Sequence, residues 1–195
     1  MNQSQLYDYV KLKCKEFDKS ASNNLCDLWQ YHVKQVYSIA LHLADTYKAD
    51  KEVVGCAALL HDIAKIIDPK CEEVHNEVGA QMAVGLIGDD LPKQKVDHIQ
   101  KCIRNHRKGA KEENLSTEET CVADADAVSV ILNVPDYIAW STSMGNSVAD
   151  TIKHTIKKLK KSFDKTSKPT QEMFRKNYES AIKTLEGHFM FGKRE

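Results

Sequence analysis

The sequence predicts an all-α fold, in which a single compact helical domain carries C-terminal helices packed on it. The first observation is the spacing of apolar residues, which is close to 3.6 along nearly the whole chain and never settles into the alternation typical of strands. The second is that capping residues, prolines and glycines divide the chain into segments of helical length. The third is that 195 residues, 42% of them hydrophobic, are enough to bury one core.

The predicted helices follow one another with short breaks between them. We expect them over residues 3–19, 26–47, 51–68, 72–88, 92–106, 117–134, 148–162 and 169–187. Asp50 is a suitable N-cap for the third helix, and Ser116 with Glu119 has the pattern of a capping box for the sixth. Pro135 and Gly187 mark the ends of the sixth and the last helix.

By position, the chain divides into three parts. Residues 1–25 form an N-terminal helix, residues 26–134 form the compact core, and residues 135–195 form helices packed on that core. No internal repeat or low-complexity tract suggests another organisation.

Charge, hydropathy and cysteine content exclude several classes of protein. Lysine and arginine total 28, as do aspartate and glutamate, so net charge gives no reason to expect nucleic acid or an anionic membrane as a partner. No apolar run approaches the ~20 residues of a membrane span, and the polar N-terminus does not resemble a signal peptide, so we expect a cytoplasmic protein. The cysteines lack Cys-x-x-Cys spacing and fit free thiols in a reducing compartment. They are Cys14, Cys26, Cys56, Cys71, Cys102 and Cys121.

Several ionisable side chains fall on the apolar side of the predicted helices. They are His32, His61, His75, His106 and Asp126, and Asp62 follows His61 directly. A lone histidine on an apolar face is usually a hydrogen-bonded core residue, but a buried carboxylate needs a partner or a metal ion. Because five helices each direct such a residue at the core, a shared metal site explains the set better than separate coincidences. Imidazole and carboxylate ligands favour Mn, Fe, Co, Ni or Zn, with Mg as a further candidate.

Three segments together resemble the HD-domain superfamily of metal-dependent phosphohydrolases. The segment Ala57-Ala-Leu-Leu-His-Asp-Ile-Ala-Lys65 resembles the core signature of that family. The upstream segment Trp29-Gln-Tyr-His-Val supplies a first histidine, and the downstream segment Val122-Ala-Asp-Ala-Asp-Ala supplies a last aspartate. The order of ligands in the family, H…HD…D, is therefore complete.

The resemblance implies an HD-type helical core that binds a divalent metal ion. The implied ligands are His32, His61, Asp62 and Asp126. Asp126 is preferred because it lies on the apolar stripe of its helix and matches the Ala-Asp pattern of the family. Asp124 is the alternative last ligand.

Two further segments resemble ligand motifs of dinuclear members of the family. His75-Asn-Glu-Val-Gly-Ala-Gln is similar to the His-x-x-x-Gly-Ala motif, and Ile103-Arg-Asn-His106 is similar to the motif that follows it. The resemblance implies that His75 and His106 either bind a second metal ion or contact phosphate. Only 12 residues separate Asp62 from His75, which is shorter than in those members, so both alternatives stay open.

The activity that the resemblance implies is hydrolysis of a phosphoester or phosphoanhydride bond in a nucleotide or related small phosphorylated metabolite. Asp62 would ligate the metal and orient the attacking water. Lys65 lies one turn after His61 and would neutralise phosphate oxygens, or else it extends to solvent at a helix end. Arg104 and Arg107 would bind outer phosphates, or else they belong to a solvated helix end.

Two other functions stay open, and one partner is not expected. The alternatives are a dinuclear hydrolase of dinucleoside polyphosphates or phosphodiesters, and a non-catalytic module that senses nucleotides. Residues 153–168 contain seven lysines on an amphipathic helix, which we interpret as a solvated face rather than a nucleic-acid site. Tyr137 and Trp140 could stack on a base, but we expect them in the core. The oligomeric state cannot be predicted from these patterns.

Overall fold

A computed structural model describes residues 1–20, 27–109 and 114–191, and these residues contain helices but no strand. The all-α prediction is confirmed. The helices are α1 (Gln3–Ser20), α2 (Lys34–Tyr47), α3 (Lys51–Leu60), α4 (Ile63–Ile67), α5 (His75–Ile87), α6 (Lys93–Asn105), α7 (Thr117–Leu132), α8 (Val134–Ser143), α9 (Val148–Lys165) and α10 (Lys168–Phe191). A π-helical turn over Trp29–Val33 precedes α2, and a 3₁₀ turn over Pro69–Val74 precedes α5. The expected start of the second helix at residue 26 lies outside the described residues.

The main hydrophobic core lies between the helices from α1 to α7. Helix α2 packs against both α3 and α7, while α5 packs against α6. Helix α3 is the most deeply placed element, because all of its residues from Val53 to Leu60 are buried. Asp50 caps its N-terminus by accepting hydrogen bonds from the backbone N–H groups of Glu52 and Val53, as the sequence predicts.

The third predicted helix is interrupted where the ionisable residues lie. We expected one helix over residues 51–68, but α3 ends at Leu60 and α4 begins only at Ile63. Between them, Asp62 takes a non-helical conformation with φ −110° and ψ 5°. The adjacent side chains of His61 and Asp62, which lie in this break, are both buried.

The C-terminal helices pack on the core through a second hydrophobic cluster. Helices α9 and α10 both contact α7, and α8 contacts α9. The cluster comprises Ile131, Ile152, Leu159, Phe163 and Leu185. The three-part division at residues 25/26 and 134/135 stays a prediction, and its first boundary lies outside the described residues.

Three helix ends in the second half of the chain bear on the sequence predictions. The predicted capping box of Ser116 and Glu119 is confirmed at the start of α7. Pro135 lies in the first turn of α8, which the sequence analysis missed, instead of at the end of the preceding helix. Proline is tolerated in a first turn because its missing N–H would have no partner there. Gly187 does not end the last helix, which continues to Phe191.

None of the helices in the residues that the structure describes combines the length and apolar character needed to cross a bilayer.

Candidate metal centre

His32, His61, Asp62 and Asp126 meet with their potential ligand atoms facing one another. Oδ2 of Asp62 lies 3.0 Å from Nε2 of His32 and 3.2 Å from Nε2 of His61. The Nε2 atoms of His32 and His61 are 3.2 Å apart. Oδ1 of Asp126 lies 3.8 Å from Nε2 of His32 and 4.0 Å from Nε2 of His61. Ligand atoms that each bind one cation at about 2.0–2.2 Å lie about 3–4 Å from one another, so this spacing suits a metal ion.

A second group of potential ligand atoms surrounds the other oxygen of Asp62. Nε2 of His75 lies 3.2 Å from Nε2 of His106. Oδ1 of Asp62 lies 3.2 Å from the first of these nitrogens and 3.8 Å from the second. The three residues form a separate set that could hold a cation. Asp62 thus presents one oxygen to each group.

Backbone carbonyls orient three of the four histidines. Nδ1 of His61 donates to the carbonyl of Ala58 at 2.7 Å, and Nδ1 of His106 donates to that of Ile103 at the same distance. Nδ1 of His75 is held in the same way, 2.5 Å from the carbonyl of Glu72. Because a carbonyl only accepts, each ring carries a proton on Nδ1, so in the neutral form of the ring the Nε2 lone pair is available for a cation.

His32 reaches the cluster from a different local structure. It lies in the π-helical turn before α2, a type of distortion that is frequent at functional sites. Its Nδ1 is 3.5 Å from Oγ of Ser129, which in turn donates to the carbonyl of Asp126. Ser129 was not among the predicted site residues, although its position three residues after Asp126 places both on the same side of α7.

The electrostatics of the cluster keep both carboxylates ionised. Burial alone would raise the pKa of Asp62, but the charge of His61 and the hydrogen bond from His32 lower it well below its usual value. Burial also opposes ionisation of Asp126, yet the charges of Lys165 and His61 lower its pKa. Two ionised carboxylates among histidines favour a bound cation.

The pKa values of His61 and His106 shift in opposite directions. Burial would lower the pKa of His61, but the adjacent charge of Asp62 outweighs it and the pKa is raised. For His106, burial together with the charge of His61 lowers the pKa to about 4. His106 is therefore neutral near pH 7, which is the form of imidazole that ligates metals.

One buried carboxylate oxygen of the cluster receives no hydrogen bond from the described residues. Oδ1 of Asp62 is buried and accepts no hydrogen bond among the described residues. Leaving a charged oxygen unsatisfied in the interior costs free energy unless something else compensates it. Since two histidine nitrogens face this oxygen, the donor set fits a divalent cation there.

Lysine side chains reach the cluster from two directions. Nζ of Lys65 lies 2.9 Å from Oδ2 of Asp62, and burial opposes but does not prevent a raised pKa for this lysine. Nζ of Lys165 lies 3.3 Å from Oδ2 of Asp126. Lys165 was expected on a solvated basic face, so its contact with Asp126 was not predicted. Lys165 lies well away from the apolar stripe of α9, so the hydrophobic pattern carries no sign of this contact.

The two arginines expected near phosphate are engaged elsewhere. Nε of Arg104 lies 3.2 Å from Oε2 of Glu77, and Arg107 donates to the backbone carbonyl of Glu73 at 2.9 Å. Both contacts tie the end of α6 to α5 and the turn before it. The structure therefore does not bring Arg104 or Arg107 to the cluster.

The alternative ligand Asp124 also points away from the cluster. Its carboxylate is buried and accepts hydrogen bonds from the backbone N–H and the hydroxyl of Ser167. Asp126, two residues later on α7, faces His32 and His61 instead.

Comparison with known families agrees with this geometry. A model of the HD domain matches residues 29–131, more than half of the chain. The chain belongs to the HD domain family. All six residues of the two ligand groups lie within the matched segment, so the family core and the candidate metal centre coincide.

Relatives of this HD-domain protein share only part of their length with it. Ribonuclease Y of Pseudothermotoga lettingae is 32% identical over 123 residues, which are 63% of this chain and 22% of that protein. A tRNA (cytidine(56)-2'-O)-methyltransferase of Picrophilus torridus is 35% identical over 65 residues, which are 33% of this chain and 19% of that protein. The chain thus spans 22% or less of the length of these curated relatives.

Solved structures match nearly the whole HD-domain chain at lower identity. YpgQ of Bacillus subtilis in complex with ADP has a TM-score of 0.70 and 18% identity, covering 98% of this chain and 99% of its own. An HD superfamily hydrolase from an uncultured Thermotogales bacterium has a TM-score of 0.66 and 21% identity, covering 96% and 91%. One from Bacillus thuringiensis has a TM-score of 0.66 and 17% identity, covering 97% of each chain. These likenesses show a shared hydrolase-like fold.

Proposed function

We propose that the protein is a metal-dependent phosphohydrolase that cleaves a phosphoester or phosphoanhydride bond in a small phosphorylated molecule. The observation that carries the proposal is the position of Asp62, whose two carboxylate oxygens face two separate groups of imidazole nitrogens. A buried cluster of this kind, with Lys65 against one oxygen, combines cation ligands with a charge suited to phosphate.

We assign the first metal position to His32, His61, Asp62 and Asp126. Their nitrogen and oxygen ligand atoms favour Mn, Fe, Co, Ni or Zn, and Mg is a further candidate. A divalent cation held there supplies Lewis acidity to a phosphoryl oxygen and lowers the pKa of a water molecule.

The protein's own residues have separate roles in the proposed reaction. Asp62 binds the cation and orients the attacking water. Lys65 neutralises charge that builds on the phosphoryl oxygens, because its ammonium group already lies beside Asp62. Arg104 and Arg107 stay candidate contacts for outer phosphates, but each would first have to leave its partner on the α5 side.

The proposed substrate is a nucleotide or a related small metabolite. Support comes from YpgQ, a structure of the same fold in complex with ADP. The likeness to ribonuclease Y favours a phosphodiester in RNA as a second candidate, which a substrate screen must include. The balanced charge of the chain gives no independent support for RNA. Cytoplasmic location stays part of the proposal.

The geometry specifically favours a dinuclear form of this enzyme over a role for His75 and His106 in phosphate contact. Their Nε2 atoms are 3.2 Å apart, and both face the Asp62 oxygen that accepts no hydrogen bond. Nitrogen lone pairs directed at a carboxylate oxygen repel it unless a proton or a cation lies between them. A dinuclear centre would serve hydrolysis of dinucleoside polyphosphates or phosphodiesters as well.

A substrate screen with a matched variant tests the proposed activity. Phosphate and pyrophosphate release would be measured from mono-, di- and triphosphate nucleotides, dinucleoside polyphosphates, cyclic nucleotides and a short RNA, each with Mn, Fe, Co, Ni, Zn or Mg. We expect turnover that Asp62→Asn abolishes and that Asp89→Asn, a change at an exposed aspartate, leaves intact. If metal-loaded protein turns over none of them, the enzyme proposal is wrong and a nucleotide-sensing module becomes the better hypothesis.

Metal analysis tests the dinuclear form independently of turnover. We expect two metal ions per chain by inductively coupled plasma mass spectrometry, and one after His75→Ala or His106→Ala. A single ion in the unaltered protein that both variants retain would instead assign these histidines to phosphate contact.

A further inference from the structure

Lys158 on α9 shares a side of the helix with Lys165, which contacts the candidate metal centre, and has no acidic partner among the described residues. No carboxylate among the described residues is within ion-pair distance of Lys158, whereas Lys65 and Lys165 each pair with a carboxylate of the cluster. Lys158 precedes Lys165 by seven residues, or about two helical turns, so both project from the same side of α9. Of these three lysines, Lys158 is the one that pairs with no carboxylate in the part of the chain that the structure describes.

Charged residues of the cluster act on the ammonium group of Lys158. Loss of contact with water on burial is the main cause of the lowered pKa of Lys158. The negative charge of Asp126 opposes that lowering, and the positive charges of Lys65 and Lys165 add to it. A cation that is repelled by two others and lacks its own counterion would gain from an anion that bridges all three.

An aromatic ring fixes where the ammonium group lies. Nζ of Lys158 is 5.2 Å from the centroid of the Tyr137 ring, within the range of a cation–π contact. The ring centroid of Trp140 lies 5.7 Å from that of Tyr137. We expected Trp140 in the core, but it is 40% exposed. Lysine and aromatic side chains thus extend from the metal centre towards the surface.

With metal bound, the net positive charge of the centre is larger than the negative charge of a single phosphate group. Two carboxylates and three lysines leave one net positive charge, which one bound divalent cation would raise to three and two would raise to five. A phosphate monoester carries about two negative charges at neutral pH. A chain of two or more phosphoryl groups matches the centre better.

We propose that Lys158 forms a subsite for a second phosphoryl group, so that the protein selects substrates by the length of their phosphate chain. The inference rests on the proposed function for the reacting phosphoryl group, which would lie at the metal centre. In this arrangement, Lys65 and Lys165 lie near the reacting group and Lys158 binds the next one. Tyr137 keeps the ammonium group in place.

Binding measurements separate this proposal from the question of turnover. Isothermal titration calorimetry would compare AMP, ADP and inorganic tripolyphosphate on metal-loaded protein carrying Asp62→Asn, and on the unaltered protein with Ca²⁺ if Asp62→Asn does not retain metal. Lys158→Met removes the charge and keeps most of the side-chain length. We expect it to weaken binding of ADP and of tripolyphosphate by about 5- to 20-fold and binding of AMP by less than twofold.

Lys153→Met is the matched control, since Lys153 is an exposed lysine on another side of the same helix. It should leave all three affinities within twofold. The subsite proposal is overturned if Lys158→Met weakens binding of AMP and ADP equally or weakens neither. It is also overturned if Lys153→Met has the same effect as Lys158→Met. If Lys158→Met weakens binding of ADP but not of tripolyphosphate, the proposal is also overturned, because Lys158 would then recognise the nucleoside. Selective binding without any turnover would leave the subsite standing while the enzymatic proposal fails.

Discussion

The carboxylate of Asp124 accepts hydrogen bonds from both the backbone N–H and the hydroxyl of Ser167, at the junction between α9 and α10. Two residues further along α7, Asp126 accepts a hydrogen bond from Lys165 at 3.3 Å. Helix α7 thus holds this junction at two neighbouring points. The contact of Asp124 with Ser167 fixes the junction in place, and the contact of Asp126 with Lys165 places a lysine beside the candidate metal centre.

We expect Asp124→Ala to lower the free energy of unfolding without loss of metal. The change leaves the part-buried N–H of Ser167 without its acceptor, which costs about 1–3 kcal/mol. Urea unfolding of chelator-treated protein would measure the loss. Asp89→Ala, at an exposed aspartate, is the control and should change stability by less than about 0.5 kcal/mol.

Metal content decides between the two aspartates of α7. Asp126→Ala should remove the first metal ion, whereas Asp124→Ala should retain it. If Asp124→Ala removes the metal and Asp126→Ala does not, the assignment of the last ligand is the wrong way round.

Local patterns were enough to predict much of the fold. Asp50 and the pair Ser116 and Glu119 cap their helices as expected, because a capping hydrogen bond depends only on residues two or three positions away. The break between Leu60 and Ile63 was missed, since no glycine or proline marks it. Buried side chains on both sides hold that turn, and such tertiary contacts are not visible in a local pattern.

The long-range partners of charged residues were the least predictable part of the site. Lys165 and Asp126 are 39 residues apart in sequence, and their contact depends on how α9 packs on α7. Arg104 was expected near phosphate, but the close packing of α5 against α6 brings Glu77 within its reach. Apolar periodicity shows that a residue faces a neighbouring helix, but not which residue of that helix it meets.

Metal ions should stabilise the folded protein against heat. Without a cation, Asp62 and Asp126 rely on histidines and lysines to offset their burial. A cation present at about a hundredfold excess over its dissociation constant would add about 2.7 kcal/mol to the free energy of unfolding. Differential scanning calorimetry with and without Mn²⁺ would detect this as a raised Tm. Asp126→Asn should reduce the gain, because only the second metal position would remain, and Asp89→Asn should keep it. An undiminished gain in Asp126→Asn would exclude that ligand.

The capping carboxylate of Glu119 should make stability depend on pH in the acid range. Burial raises its pKa, but hydrogen bonds from the backbone N–H of Ser116 and from the amide of Asn105 outweigh burial and lower it. A lowered folded-state pKa means that the stabilisation is present above the unfolded value of about 4.3 and is lost as pH falls through the folded value.

The measurement compares Glu119→Gln with the unaltered protein by urea unfolding in chelator at pH 7 and at pH 3.5. We expect a difference of about 1 kcal/mol at pH 7 that shrinks at pH 3.5. Glu172→Gln, at an exposed glutamate of α10, is the control and should show no pH-dependent difference. A difference that stays constant between the two pH values would mean that the carboxylate charge contributes nothing to the cap.

Gly79 in α5 is a motif glycine that the packing does not require. A Cβ atom built there would lie 3.5 Å from Cγ2 of Ile103, 3.6 Å from the carbonyl oxygen of Leu60 and 3.7 Å from Cγ2 of Ile63, all ordinary contacts. Alanine is favoured over glycine within a helix by about 0.5–1 kcal/mol, and a buried methyl group adds apolar contact. We therefore expect Gly79→Ala to raise the free energy of unfolding by about 1 kcal/mol.

Two other substitutions separate the sources of that gain. Gly85→Ala, in the same helix with nothing within 4 Å of the added Cβ, should give the helix-propensity part alone. Gly79→Leu should lose about 1–3 kcal/mol, because atoms beyond Cβ would overlap the backbone of Leu60. Urea unfolding measures all three variants. Because His75 lies one turn before Gly79, a destabilised Gly79→Ala that also loses metal would show that the close approach of α5 to α3 is set by the absence of a side chain.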